Sequence, residues 1–121
     1  QKAQKQGVNT DYYMGVLNIP EGNYDKALQQ MQRKECDYNV ALAYLASGET
    51  DKAISTLECV PESAEKSYLM AIAGARKENK DMVFEHLVNA IKADKSYKEK
   101  VKTDKEFIDY FNTPDFKSLV K

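Results

Sequence analysis

The sequence predicts an all-α fold: an α-solenoid of three antiparallel helix hairpins closed by a short-helix C-terminal cap. Three observations point there. Proline and glycine are scarce, three and five residues in a chain of 121, while Ala, Leu, Lys, Glu and Gln, all good helix formers, are abundant. Apolar residues recur at three- and four-residue spacing along most of the chain. Finally, small residues recur in pairs twelve positions apart, Gly15 with Ala27 and Ala41 with Ala53, and Ala71 stands twelve before Val83.

The pairs have a physical reading. In an antiparallel hairpin, residues equally far from the turn face each other. Small side chains at both places let two backbones approach to the near end of the usual separation of about 8–10 Å. A large apolar residue follows four positions after each second anchor, at Met31, Leu57 and Leu87. Each hairpin keeps an apolar face that another hairpin must cover, which makes an array.

The elements follow in order. Residues 1–9 read as a tail or the end of a preceding repeat. Asn9 or Thr10 caps a first helix, Asp11 suits its first turn, and Tyr13, Met14, Val16, Leu17 and Ile19 form its stripe. Pro20 shortens or kinks its end. "PEGN" is a turn, with Gly22 free to take the left-handed conformation. Tyr24, Ala27, Leu28 and Met31 then form the second helix of a hairpin over about 10–34. The next hairpin spans about 35–60: Tyr38, Leu42 and Leu45, flanked by Val40, Ala41 and Tyr44, then the turn "SGET" with Thr50 as cap, then Ala53, Ile54 and Leu57. Pro61 stops it. A third, about 62–94, has Tyr68, Leu69, Ile72 and Ala75 on one helix. Its second helix opens at Lys80 or Asp81, with Val83, Phe84, Leu87, Val88, Ala90 and Ile91 inward. Five residues before the second anchor the first two hairpins carry Gly22 and Gly48; the third carries Glu78. Residues 98–121 are capping helices, the last with Thr113 as cap and Pro114 at its first position.

These residues resemble the tetratricopeptide repeat. "YNVALAYLASGETDKAISTL" carries the family's pattern at Val40–Ala41, Tyr44, Gly48, Ala53 and Leu57. "YYMGVLNIPEGNYDKALQQM" carries it at Met14–Gly15, Gly22, Tyr24, Ala27 and Met31. The third unit keeps Met70–Ala71, Leu87, Ala90 and "IKADKSY". The resemblance covers residues 10–97. The second anchors step by 26 and then 30 residues, against about 34 in the family, so the family's curvature does not transfer. The short repeats and the tail "Asp104…Phe107…Phe111…Pro114…Phe116" look similar to repeat segments of cell-envelope proteins of gram-negative bacteria, which implies a periplasmic or envelope location, with the cytoplasm as the alternative.

In this family the first helix of each pair lines a concave groove that holds peptides. Position by position, the resemblance implies a partner-binding set of Tyr12, Tyr13 and Val16; Tyr38, Asn39, Leu42 and Leu45; and Tyr68, Leu69, Ile72 and Arg76. Asn39 could hold a peptide backbone through its two-sided amide, and tyrosines suit interface anchors. Of the carboxylate clamp that some family members carry, only Asn39 matches. The expected function is a non-catalytic protein-interaction module for a protein or peptide partner, part of a larger protein. The alternative is a spacer or homo-oligomerisation block using the same face. The bland reading is that part of this stripe packs against further repeats or the C-terminal tail.

Composition narrows the classes. Charged residues make up 31% and apolar residues 42%, as in globular proteins. A net charge of −1 argues against nucleic acid as partner. No apolar run approaches the ~18 residues of a membrane span. With no initial Met, the chain reads as a piece of something longer. No enzyme is expected: phosphate loop, nucleophile elbow and dinucleotide fingerprint are all missing, and no carboxylate pair is set in an identifiable pocket. His86, the only histidine, reads as a helix-surface residue. Neither a metal site nor a cofactor is expected. The lysines from Lys92 to Lys105, interrupted by Asp94, Glu99 and Asp104, read as a solvated face. Cys36 and Cys59 lie at the end of their hairpin away from the Gly48 turn. They are either a disulfide or two separate buried thiols.

Overall fold

The structure is a computed structural model that describes residues 19–121. The helix expected from Thr10, with Tyr12, Tyr13 and Val16, lies outside the described residues, as does the 1–9 tail. The described residues are all-helical, with no strand: α1 (Tyr24–Gln30), α2 (Tyr38–Ala46), α3 (Thr50–Leu57), α4 (Ala64–Arg76), α5 (Lys80–Ala93), α6 (Tyr97–Thr103), a 3-10 segment (Lys105–Tyr110) and α7 (Pro114–Leu119). No helix among them is long and apolar enough to cross a membrane. The chain forms two compact units, Gln1–Val60 and Pro61–Lys121.

In the first unit, Ile19, Ala27, Leu28, Met31, Val40 and Ala43 form one buried cluster, with Leu42 and Tyr44 packed on it. α3 doubles back along α2, and the anchors Ala41 and Ala53 are both fully buried together with Leu57. α2 is apolar almost all round, and Val40, Ala41, Ala43 and Leu45 are all buried. Its N-cap is Asp37, whose carboxylate accepts from the Val40 amide at 3.0 Å. Thr50 is not the cap of α3; it is the first helical residue, and Glu49 takes the cap position without a side-chain hydrogen bond.

In the second unit, α4 and α5 form the largest helix–helix contact. Ser63 caps α4 through the Lys66 amide, and Asn79 caps α5 through the Met82 amide. Ala71, Val83, Leu87 and Ala90 are fully buried. Val88, expected inside, is 39% exposed: the buried face of α5 repeats through 83, 87 and 90, and 88 falls beside it. Phe84 and Ile91 are half-buried. The two helices come close at Gly74, where an added Cβ would stand 3.0 Å from Met82 Cγ and 3.1 Å from the Val83 backbone nitrogen.

Three helix ends share one closure, in which the residue after the cap turns left-handed and the next amide reaches back five residues. Gly48 (φ +91°) is followed by a Glu49 N–H to Tyr44 C=O bond of 2.8 Å. Glu78 (φ +56°) is followed by Asn79 N–H to Gly74 C=O at 2.9 Å, and Gln32 (φ +60°) by Arg33 N–H to Leu28 C=O at 3.0 Å. Thr113 caps α7 through the Phe116 amide, with Pro114 behind it.

Candidate interaction site

The expected partner-binding residues of the third hairpin lie along one stripe of α4, at positions 68, 69, 72 and 76, the spacing of one helix face. The structure finds that stripe covered. Tyr68, Leu69 and Ile72 are buried, and the chain's own C-terminal segment lies over the stripe: the 3-10 segment packs on α4.

The contacts are specific. The Tyr68 hydroxyl donates to the Asp104 carboxylate. Its ring meets Phe107 edge-on at 5.8 Å between centroids and Tyr97 at 5.0 Å. Such aromatic pairs contribute about 0.5–1.5 kcal/mol beyond the area they bury. The Lys100 ammonium sits 4.9 Å from the centre of the Tyr68 ring and 5.3 Å from that of Tyr97, over aromatic faces that attract a cation. Phe107 is fully buried. About two turns further along α4, the Arg76 guanidinium grips Glu106 with both arms: Nε donates to Oε1 at 3.2 Å and Nη2 to Oε2 at 2.7 Å. Asp104 also organises its own segment, its other carboxylate oxygen accepting from the Glu106 amide at 3.0 Å.

Burial pushes the Tyr68 hydroxyl well above the ordinary phenol range, and the Asp104 carboxylate raises it further by accepting its proton and by its charge. A neutral Tyr68 is therefore part of the junction. Tyr97 is shifted the same way, by burial first and then by the charges of Glu65 and Asp94.

In the first unit, Tyr38, Asn39 and Leu42 are half-buried on α2, and Leu45 is buried. Cys36 and Cys59 are joined as a disulfide, with their Cα atoms 4.9 Å apart. The bond ties the chain just before α2 to the chain just after α3. A shallow hollow of about 270 Å³ beside it is lined by Glu35, Cys36, Ser55, Thr56 and Cys59.

His86 is half-buried on α5. No three or more His, Cys, Asp or Glu side chains among the described residues form a group that could hold a metal ion. Lys92, Lys95, Lys100, Lys102 and Lys105 are exposed.

The resemblance singled out Tyr68 and Arg76 as partner-binding residues but not the residues they meet. Tyr97, Lys100, Asp104, Glu106 and Phe107 complete the junction. The signal was present as "DKEF", an aromatic flanked by carboxylates, which pairs by charge with Arg76. No protein-family model, curated protein or solved structure matches this chain.

Proposed function

We propose that the chain is a non-catalytic interaction module that holds peptide segments against its first-position helices, in the manner of tetratricopeptide hairpins. The observation that carries this reading is the α4 junction. A short segment, Asp104–Phe107, is held there by one buried aromatic anchor, one hydroxyl–carboxylate bond and one two-armed ion pair. These are the contacts by which a separate peptide would be recognised. The third hairpin's face is taken by the chain itself, so the face offered to another protein is that of α2, with Tyr38, Asn39 and Leu42. Burial of Ala41, Ala53, Ala71 and Val83 supports the family reading. The disulfide supports an oxidising compartment such as the periplasm.

Capture experiments on an envelope extract test the assignment, with the full chain compared to its Tyr38→Ala/Leu42→Ala variant. The reading expects the variant to keep its helical signal and lose the captured partner. Unaltered capture would remove the α2 face. Sedimentation of the chain alone that rises with concentration and collapses in the variant would favour self-association through the same residues instead.

A further inference from the structure

We propose that Cys36–Cys59 is a thiol-exchange site, opened by a small monothiol that attacks Cys59, and that its opening releases the loop between α1 and α2. Disulfides retained for structure alone are usually shielded. Here both half-cystines are exposed, and the hollow lined by Glu35, Ser55 and Thr56 gives a small thiol room beside the sulfurs. Exposed disulfides are the labile ones.

The two sulfurs are not equivalent. Cys36 stands immediately before Asp37, the N-cap of α2, where the helix end favours negative charge. Its charged neighbours in sequence balance, Arg33 and Lys34 against Glu35 and Asp37. Cys59 follows Glu58, the C-cap of α3, where carbonyls and a carboxylate disfavour an anion. In thiol exchange the sulfur that better carries negative charge departs faster. The incoming thiolate therefore forms a sulfur–sulfur bond with Cys59 Sγ. The Cys36–Cys59 bond breaks with its electron pair on Cys36, which leaves as thiolate and takes a proton from water. A second monothiolate then bonds to the adduct's small-molecule sulfur, and Cys59 leaves as thiolate and takes a proton from water, which leaves two thiols and one small-molecule disulfide.

The loop supplies the consequence. Gln32 (φ +60°), Arg33 (φ +45°) and Cys36 (φ +56°) are all left-handed without being glycine, a conformation that L residues keep only where the surroundings hold them. The bond at Cys36 is one such hold, and breaking it frees exposed Arg33 and Lys34 to relax.

The test uses the full oxidised chain and glutathione under native conditions, with rapid acid quench, alkylation and peptide mapping. The expected adduct is on Cys59 with Cys36 alkylated, in on the order of tenfold excess over the reverse. Trypsin cleavage after Arg33 and Lys34 should accelerate on thiol treatment, ahead of cleavage in 61–121. A Cys36→Ser/Cys59→Ser variant should be cut there regardless of thiol. Exchange that requires denaturant, an adduct mainly on Cys36, or cleavage at Arg33 and Lys34 that ignores the thiol would each overturn the proposal.

Discussion

Gly48 and Glu78 occupy the same place in two hairpin turns and carry the same left-handed backbone, yet only one of them is suited to it. No atom lies within 4 Å of a Cβ placed at Gly48, so Gly48→Ala costs only conformational energy, about 1–2 kcal/mol. The converse change, Glu78→Gly, should stabilise by about 1 kcal/mol, because the strain at Glu78 outweighs the extra entropy that glycine loses. Urea denaturation of the two variants checks both signs. Gly74 behaves differently. A mid-helix glycine replaced by alanine ordinarily gains about 1 kcal/mol. Here the new methyl meets the Val83 backbone nitrogen at 3.1 Å, which cannot swing aside as a side chain can. We expect Gly74→Ala to lose about 1 kcal/mol net. The spacing in the sequence marked Gly48 and the odd Glu78, but it passed over Gly74. Its role depends on which turn of α5 lies opposite, and spacing alone does not fix that.

At the scale of elements, short helices need help. α2 and α3 have nine and eight residues, too few to be stable alone, and half of their buried residues are small, Ala41, Ala43 and Ala53 beside Val40, Leu45 and Leu57. The disulfide closes a loop of 23 residues and should contribute about 3 kcal/mol. Thermal melting with and without reductant measures it. The 3-10 segment depends on one anchor: Phe107→Ala should cost about 3–5 kcal/mol and expose the Tyr68 ring. Among the described residues, the existence and order of the helices were legible from apolar spacing, Pro61 and the Thr113–Pro114 pair. Their caps were less so. Glu49 caps α3 without a side-chain bond, and the nearby Thr50 offered a better residue type that the backbone does not use. Val88 was misplaced because a run of apolar residues on α5 is wider than the face that α4 covers.

On the scale of the molecule, each compact unit raises its own question: in the first, whether the α2 face takes the proposed partner; in the second, how firmly the tail is held. The tail was legible as a closing segment. Packing of part of the stripe under the tail was one reading the sequence left open, but the residues that pair were not legible, since partners 30 and 36 residues apart in sequence leave no periodic trace. Its hold should depend on pH. Tyr68 has an ordinary value of 10.0 raised in the folded chain. Folding therefore binds its proton more tightly, and the stabilisation is fully present below pH 10.0 and is lost as pH rises beyond it. Tyrosinate absorbance should show Tyr68 ionising above the ordinary phenol range, and Tyr68→Phe should flatten the alkaline loss of stability. The claim beneath the functional reading is that the α4 face holds residues 104–107 as it would hold a bound peptide. An NMR nuclear Overhauser spectrum of the full chain tests it most directly. The account predicts cross-peaks between the Phe107 and Tyr68 rings, with the Tyr68 hydroxyl protected from solvent exchange. A Phe107 ring without contact to Tyr68, and a freely exchanging Tyr68 hydroxyl, would contradict it.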